Sequence, residues 1–231
     1  VEETSLENAL KTMHSAAKGQ DLQYICTINP EIALQSWKNK KYRNFINRSL
    51  LSTCDGVGIL WALEYLDKSN GKNKITKIHK WLSSYLTIPF KKFKRVTGVQ
   101  LTQEFCRTTD KKIFLLGAEE GVAKRTAEIL KEDNKELRIV GTSHASSRKK
   151  FDKETTQKIN QSRAEVLFIA FGAPKQENWI KRNQKKLKTV KLAIGVGGSF
   201  DFIAGKRKRA PKIVRKIGLE WAYRLIQEPK R

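Results

Sequence analysis

Cysteine is scarce in this sequence, and its placement excludes a disulfide or zinc framework. The three cysteines, Cys26, Cys54 and Cys106, are an odd number, and none belongs to a CxxC pair or to a cluster with histidine. No HExxH motif and no Asp-x-Asp pair offers ligands to a divalent metal ion. We therefore predict buried free thiols in a reducing compartment and no metal site.

Long apolar runs are also missing. No stretch reaches the roughly 20 apolar residues that a membrane-spanning helix needs, and the opening residues, "VEETSLENAL", show no signal-peptide pattern. The histidines, His14, His79 and His144, lie in unrelated settings, and none belongs to a pattern typical of a hydrolase triad. The sequence thus predicts neither an integral membrane protein nor a triad hydrolase.

Acidic residues are few relative to basic ones. Lys and Arg number 47 and Asp and Glu number 23, which gives a net charge of +24 in 231 residues. An anionic partner is therefore expected, but nucleic acid, an anionic membrane surface and a phosphorylated small molecule fit this charge equally well. Hydrophobic residues make up 39% and charged residues 30%, which is typical of a globular protein. We predict a single domain over residues 1–231.

Strand-like and helix-like segments alternate in the second half of the chain. Short apolar segments such as "KKIFLLG", "AEVLFIAFG" and "VKLAIGVGG" are separated by amphipathic stretches of ten or more residues. This alternation is typical of a parallel sheet that is covered by helices on both faces. We therefore predict an α/β fold with a Rossmann-like, mostly parallel sheet in residues 109–231.

The first half, residues 1–108, has a largely helical pattern. One strand is predicted at "LQYICTIN", and helices are predicted at "PEIALQSWKN", "YRNFINRSLL" and "VGILWALEYL". Residues 68–94 are strongly basic and are predicted to form a flap. Residues 211–229 predict a basic amphipathic helix, which fits either docking on the core or contact with an anionic membrane surface.

Small and polar residues follow four of the predicted strands. These segments are "TIN", "LLGAEEG", "FGAPKQE" and "GVGGSFD", and the carboxyl ends of parallel strands form the usual ligand crevice of such sheets. The absence of GxGxxG argues against a dinucleotide-binding dehydrogenase. Glycine lets a backbone approach a ligand closely, but a tight turn or an ordinary helix start would explain these segments as well.

One acid, Asp55, stands between the residues "TC" and the apolar helix pattern "VGILWALEYL". An aspartate at such a place can accept hydrogen bonds from the first turn of a helix, which is an ordinary structural role. It can also act as a general base if it is directed into the crevice. The pattern around Asp55 leaves both interpretations open.

Seven blocks of the sequence together resemble the WecG/TagA/CpsF family of bacterial glycosyltransferases. In chain order they are "TINPEI", "CDGVGI", "RVTGVQL", "IFLLGAEEGVAKRTAEIL", "LFIAFGAPKQENWI", "AIGVGGSFDFIAG" and "RAPKIVRKIGLEWAYRLIQEPKR". The blocks run from about Thr27 to Arg231, and the last three are highly specific. The resemblance implies an inverting, metal-independent enzyme that uses a UDP-sugar, typically UDP-N-acetylmannosamine, as a substrate and needs no cofactor.

The resemblance also implies partners and a location. Family members typically transfer the sugar to N-acetylglucosamine on a membrane polyprenyl diphosphate, making precursors of teichoic acid and other surface polysaccharides of the cell wall. The expected partners are a UDP-sugar, this lipid-linked acceptor and the anionic inner face of the bacterial plasma membrane, where the protein would be cytoplasmic and peripheral. Formation of a homo-oligomer is left open, and nucleic acid is not expected as a partner.

Roles for single residues follow from the same resemblance. Asp55 matches the family's candidate base and is expected to be catalytic together with Thr27, beside Asn29 in one pocket. Arg95 is expected to approach the diphosphate or the acceptor, and Gln176 is expected to hold the sugar.

Further substrate contacts are expected at the strand ends. Phe200 and Asp201 resemble nucleoside contacts, and the second would accept hydrogen bonds from ribose hydroxyl groups. The other predicted substrate-binding residues are Glu177, Gly117, Gly172 and Gly198.

A second hypothesis is a basic nucleic-acid-binding α/β module without catalysis. The net charge of +24 motivates it, but the sequence has no RNP-type aromatic motif, zinc finger or helix-turn-helix spacing. Binding of DNA or RNA that depends steeply on salt and is not competed by UDP would favour this hypothesis.

Overall fold

A six-stranded sheet forms the centre of the protein. The computed structural model describes residues 4–69, 95–207, 210, 211, 214 and 223. The strands are β1 (Gln23–Ile28), β2 (Leu51–Cys54), β3 (Ile113–Gly117), β4 (Ile139–Ser143), β5 (Val166–Ala170) and β6 (Leu192–Gly195). Their spatial order is β2-β1-β6-β5-β3-β4, and every neighbouring pair is parallel. The predicted α/β class with a parallel sheet is confirmed.

Helices precede, connect and follow the strands. Their bounds are α1 (Leu6–Ala17), α2 (Pro30–Lys38), α3 (Lys40–Asn47), α4 (Val57–Ser69), α5 (Gly98–Thr108), α6 (Val122–Asp133), α7 (Asp152–Gln161), α8 (Lys175–Asn183) and α9 (Ser199–Ile203). Several begin where a polar side chain accepts a backbone N–H of the first turn: Asn29 caps α2, Asn39 caps α3 and Thr97 caps α5. Within the described ranges, no helix has the length and apolar character needed to cross a membrane.

Two apolar layers hold the helices against the two faces of the sheet. Alternate strand residues point to opposite faces, so Leu115 and Phe168 pack with α1, α5 and α6. Their neighbours Leu116 and Ile169 pack with α2, α3 and α8 on the other face. Because both faces are covered, β3 and β5 are buried along their whole length, which explains their uninterrupted apolar sequence.

The cysteines contribute to these layers. Cys26, Cys54 and Cys106 are all buried and free, as predicted. Burial raises the pKa of the Cys26 and Cys106 thiols, so both stay protonated at neutral pH. Across the described residues, no three His, Cys, Asp or Glu side chains form a group that could hold a metal ion.

The first half of the chain contributes more to the sheet than its pattern predicts. Strand β2, with the sequence "LSTC", was not predicted, and the helix expected over "YRNFINRSLL" ends at Asn47. The four residues of β2 pair with β1, which brings Thr53 level with Thr27. The largely helical first half therefore adds two strands to the same sheet.

Two predicted features lie largely outside the described residues. The first two residues of the predicted basic flap, 68–94, end α4, and its residues 70–94 are not described. The predicted basic amphipathic helix, 211–229, is described only at positions 211, 214 and 223.

Candidate active site

A cleft lies at the carboxyl ends of four neighbouring strands, β2, β1, β6 and β5. This is the place where open parallel sheets usually bind ligands. The residues that line it are Thr27, Asn29, Glu31, Ile32, Asp55, Thr97, Val99, Gly172, Ala173, Gln176, Val196, Gly197, Gly198, Ser199, Phe202 and Arg207. The predicted convergence of strand ends is therefore present, except that the end of β3 does not reach the cleft.

Asp55 reaches the cleft because of the turn between β2 and α4. Its backbone N–H donates to the carbonyl of Ile28 at the end of β1, with an N···O distance of 2.7 Å. Gly56 follows with a φ of 136°, a conformation that favours glycine, and α4 begins at Val57. The residue just before the helix is thus Gly56, and Asp55 lies one position further out, on the wall of the cleft.

The side chains of Thr27 and Asn29 are fixed by hydrogen bonds at the end of β1. The Thr27 hydroxyl donates to the carbonyl of Gly195 on the neighbouring strand, with an O···O distance of 2.9 Å. The Asn29 Oδ1 accepts from the N–H of Ile32 as the cap of α2, which leaves the amide nitrogen as the donor for a ligand. Both residues line the same cleft as Asp55, as the resemblance implies.

Gln176 and Glu177 form a buried hydrogen-bond chain at the start of α8. Gln176 lines the cleft; its Oε1 accepts from the N–H of Gly197 at 3.0 Å, and its Nε2 donates to Glu177 Oε1 at 2.7 Å. The Tyr42 hydroxyl donates to Glu177 Oε2 at 3.0 Å. Glu177 is fully buried and does not line the cleft, so the structure does not support the prediction that it binds substrate directly.

Burial raises the pKa of Glu177, although the hydrogen bonds from Gln176 and Tyr42 act in the opposite direction. The other ionisable groups that act on it or are affected by it are Tyr42, Glu31 and Cys26, which lie on α3, α2 and β1. None of these three groups is cationic. The carboxylate form of Glu177 is therefore stabilised by its hydrogen bonds, and it forms no ion pair with any of these three groups.

The turn after β6 supplies the floor of the cleft. Gly197 has a φ of 56°, and Gly198 precedes the short helix α9. The start of α5 packs closely behind this turn: a Cβ atom on Gly98 would lie 2.6 Å from the Ser199 hydroxyl oxygen. Close packing at Gly98 explains why glycine follows the Thr97 cap in "RVTGVQL".

Four further predicted substrate contacts also lie away from the lining of the cleft. Phe200 is fully buried in the core. Asp201 is almost buried, and its Oδ2 lies 3.6 Å from the Nε of Arg207, which does line the cleft. Gly117 ends β3, where a Cβ atom would lie 2.9 Å from the backbone of Ala170, so it serves close packing. Arg95 lies two residues before Thr97 and is not among the lining residues.

Lining residues that were not predicted from the sequence include Phe202, Arg207, Thr97, Ser199 and Glu31. Phe202 was not predicted because the family resemblance assigned the nucleoside contacts to Phe200 and Asp201. Residues 199–203 form α9, and residues two apart on a helix point to nearly opposite sides. Helical spacing could therefore have indicated Phe202, because a helix that places Phe200 in the core directs Phe202 towards the cleft.

Comparison with known proteins adds to this geometry. The chain matches the model of the "Glycosyl transferase WecG/TagA/CpsF family" over residues 1–80 and 76–231, which together include every residue of the cleft. A protein of Bacillus spizizenii is 30% identical over 211 residues, which cover 90% of this chain and 72% of that protein. A protein of Staphylococcus aureus is 28% identical and is covered to 73%. Both relatives carry the name N-acetylglucosaminyldiphosphoundecaprenol N-acetyl-beta-D-mannosaminyltransferase.

Proposed function

Because the chain belongs to the WecG/TagA/CpsF family of glycosyltransferases, we propose that it transfers N-acetylmannosamine from UDP to N-acetylglucosamine on a polyprenyl diphosphate. The observation that carries the proposal is the cleft in which Asp55, Thr27, Asn29 and Gln176 meet. The names of both relatives support the sugar and the acceptor. The comparisons give no support to the nucleic-acid-binding alternative.

Asp55 is the general base in this proposal. Its carboxylate takes the proton of the acceptor 4-hydroxyl as that oxygen attacks the anomeric carbon of the donor sugar. The bond from this carbon to the diphosphate oxygen breaks on the opposite side, so the configuration inverts and UDP leaves. A well-placed base of this kind contributes roughly 10²–10⁴-fold to the rate.

The leaving diphosphate needs positive groups around it. Arg207 lines the cleft, and Gly198 in the turn after β6 brings its backbone N–H to the same wall. Such donors stabilise developing negative charge without a metal ion, and we therefore include metal independence in the proposal. Phe202 is the aromatic side chain at the cleft that can contact the uracil ring.

The acceptor lipid requires a membrane, and α2 offers a surface for it. Leu34 and Trp37 lie three residues apart on one face of the helix and are 52% and 74% exposed. The exposed lysines Lys38, Lys40 and Lys41 follow directly. Tryptophan favours the membrane interface, and lysine favours anionic head groups. This surface, which begins one turn from the cleft, supports peripheral association with the inner face of the plasma membrane.

The test is a transfer assay with a panel of UDP-sugars and a lipid-linked N-acetylglucosamine acceptor, read out by product mass. We expect one added N-acetylhexosamine with UDP-N-acetylmannosamine, in the presence of EDTA as well as without it. Asp55→Asn is expected to lower kcat by roughly 10²–10⁴-fold while the melting temperature changes little.

The matched control is Asp110→Asn. Asp110 is exposed and precedes β3, so it lies at the opposite, amino edge of the sheet. Its variant should keep full activity. Full activity of Asp55→Asn would remove Asp55 from the mechanism, and no transfer by the unmodified protein from any UDP-sugar would overturn the proposed function.

A further inference from the structure

We propose that Glu177 is a positioning residue for the transfer: through Gln176, its carboxylate holds the Gly197–Gly198 turn in the shape that receives the donor substrate. This inference rests on the proposed function, because it concerns the same cleft. Glu177 is fully buried and does not line the cleft, so its role is to position Gln176, which does line it.

The first step is the orientation of the Gln176 side-chain amide. An amide has an oxygen that accepts and a nitrogen that donates, and a flip exchanges the two. Both oxygens of Glu177 accept, one from Gln176 Nε2 and the other from Tyr42. An acceptor at this place requires the nitrogen of Gln176 to face Glu177, and so the oxygen must face Gly197.

The second step is the effect on the glycine turn. Gln176 Oε1 accepts the N–H of Gly197, which has the φ of 56° that few other residues adopt. If the amide flipped, its nitrogen would face the Gly197 N–H, and two donors would oppose each other. Glu177 therefore prevents the flip and keeps the turn bonded to α8.

The third step concerns the hydrogen-bonding capacity of the Gln176 amide that remains for the substrate. Gln176 uses one hydrogen of its amide nitrogen and one lone pair of its oxygen for these two bonds. These two bonds leave a second hydrogen and a second lone pair of the amide unused, and Gln176 lines the cleft. Their places are set by the same amide orientation, so Glu177 also determines where a donor and an acceptor meet the substrate.

The test compares two substitutions at Glu177 that differ in hydrogen bonding. Glu177→Met keeps the length of the side chain and removes both acceptors. Glu177→Gln keeps an acceptor for Gln176, because the Tyr42 hydroxyl can turn to accept from the new amide nitrogen. If the role of Glu177 were purely structural, Glu177→Met and Glu177→Gln would affect the cleft equally.

The first readout is hydrogen exchange of the Gly197 amide, which needs no activity. We expect exchange at least about tenfold faster in Glu177→Met and within about threefold of the unmodified protein in Glu177→Gln. Thr156→Val is the control: Thr156 is buried and its hydroxyl donates to the Asp152 carbonyl within α7, so this variant loses a buried hydrogen bond that does not involve Glu177, Gln176 or the turn. Its Gly197 exchange should be unchanged.

The second readout is the kinetics of transfer. We expect Glu177→Met to raise KM for the UDP-sugar by roughly tenfold to a hundredfold with a smaller change in kcat, because misplacement of binding groups by about 1 Å costs this much. Asp55→Asn should show the reverse split. Glu177→Gln should stay close to the unmodified protein in both constants.

A folded Glu177→Met protein with unchanged Gly197 exchange would overturn the inference. If this variant does not fold, Glu177→Asp asks the same question, since the shorter side chain withdraws the carboxylate from Gln176. We expect Gly197 exchange at least about threefold faster in it, and unchanged exchange would again overturn the inference. Failure of the proposed function would instead appear as absent transfer by a protein whose exchange pattern is as expected.

Discussion

The most direct check of the cleft geometry is a single added methyl group at Gly195. This glycine ends β6, and a Cβ atom placed on it would lie 2.6 Å from Gln176 Nε2 and 3.0 Å from Gln176 Cδ. Gly195→Ala must therefore displace the Gln176 amide. The displaced amide loses its bonds to Gly197 and Glu177.

The magnitude follows from two contributions. Forcing an extra methyl group into a packed interior costs about 1–3 kcal/mol. Loss of the two hydrogen bonds of the Gln176 amide adds about 1–3 kcal/mol. The free energy of unfolding should therefore fall by about 2–6 kcal/mol, and in a chain of this size each kcal/mol lowers the melting temperature by about 2–4 °C.

The matched control is Gly198→Ala, three residues further along. Its φ is −81°, which any residue can adopt, and the nearest atom to an added Cβ is Asp201 Oδ2 at an ordinary 3.6 Å. Alanine there should be neutral or stabilise by about 0.4–1 kcal/mol, because it reduces the entropy of the unfolded chain.

Thermal melts of both variants, followed by far-UV circular dichroism, provide the measurement. We expect Gly195→Ala to melt at least about 4 °C lower than the unmodified protein, and Gly198→Ala to melt at the same temperature or slightly higher. Equal melting of the two variants would refute the reasoning, since Gln176 would then have moved without cost.

Three further predictions concern the aromatic residues and the buried acid. Phe202→Ala should weaken UDP binding several-fold in calorimetry and should cost less folding free energy than Phe200→Ala, because Phe202 is only partly buried against the core. Phe200 is fully buried, and Phe200→Ala should cost about 3–5 kcal/mol. The opposite pattern would return Phe200 to the cleft. Trp37→Ser should reduce binding to anionic lipid vesicles roughly tenfold, because a large apolar side chain contributes about 1.5–3 kcal/mol when buried; loss of a dimer in sedimentation instead would identify a second copy as the partner of this surface. Because the folded-state pKa of Glu177 is raised, its contribution to stability is present below its unfolded pKa and is lost as pH rises through the folded pKa. Glu177→Gln should remove this pH dependence of the free energy of unfolding, measured by denaturant titrations at several pH values. The same dependence of the free energy of unfolding on pH above 4.5 in both proteins would contradict this prediction.

Much of the fold was predictable because its strands are buried on both faces. "IFLLG" and "VLFIA" are apolar without interruption, and this feature together with the helical spacing between them indicated a covered parallel sheet. Strand β2 was not predicted because it lacks such an apolar run. It has four residues, Ser52 and Thr53 among them, and only its pairing with β1 makes it a strand.

Part of the candidate site was likewise predictable from the sequence, and part was not. Asp55, Thr27, Asn29 and Gln176 were predicted because each lies in a block that resembles the family, near the end of a strand or the start of a helix, and all four line the cleft. Phe200 and Glu177 were assigned to the substrate on the same ground. Their side chains point elsewhere, because a helix rotates each successive residue by about 100° and only the packed structure fixes which of them faces the cleft.

The amino-acid sequence alone determined the chemistry that this protein brings together: one acid at a strand end, small residues beside it, an excess of positive charge and a buried parallel sheet. The tertiary structure alone decided which residues meet. Strand order places the ends of β2, β1, β6 and β5 side by side, although the ends of the neighbouring strands β1 and β6, Ile28 and Gly195, are 167 residues apart in the chain. Hydrogen bonds among buried groups such as Tyr42, Glu177 and Gln176 then set their orientation, and contacts over such separations leave no periodic pattern in a single sequence.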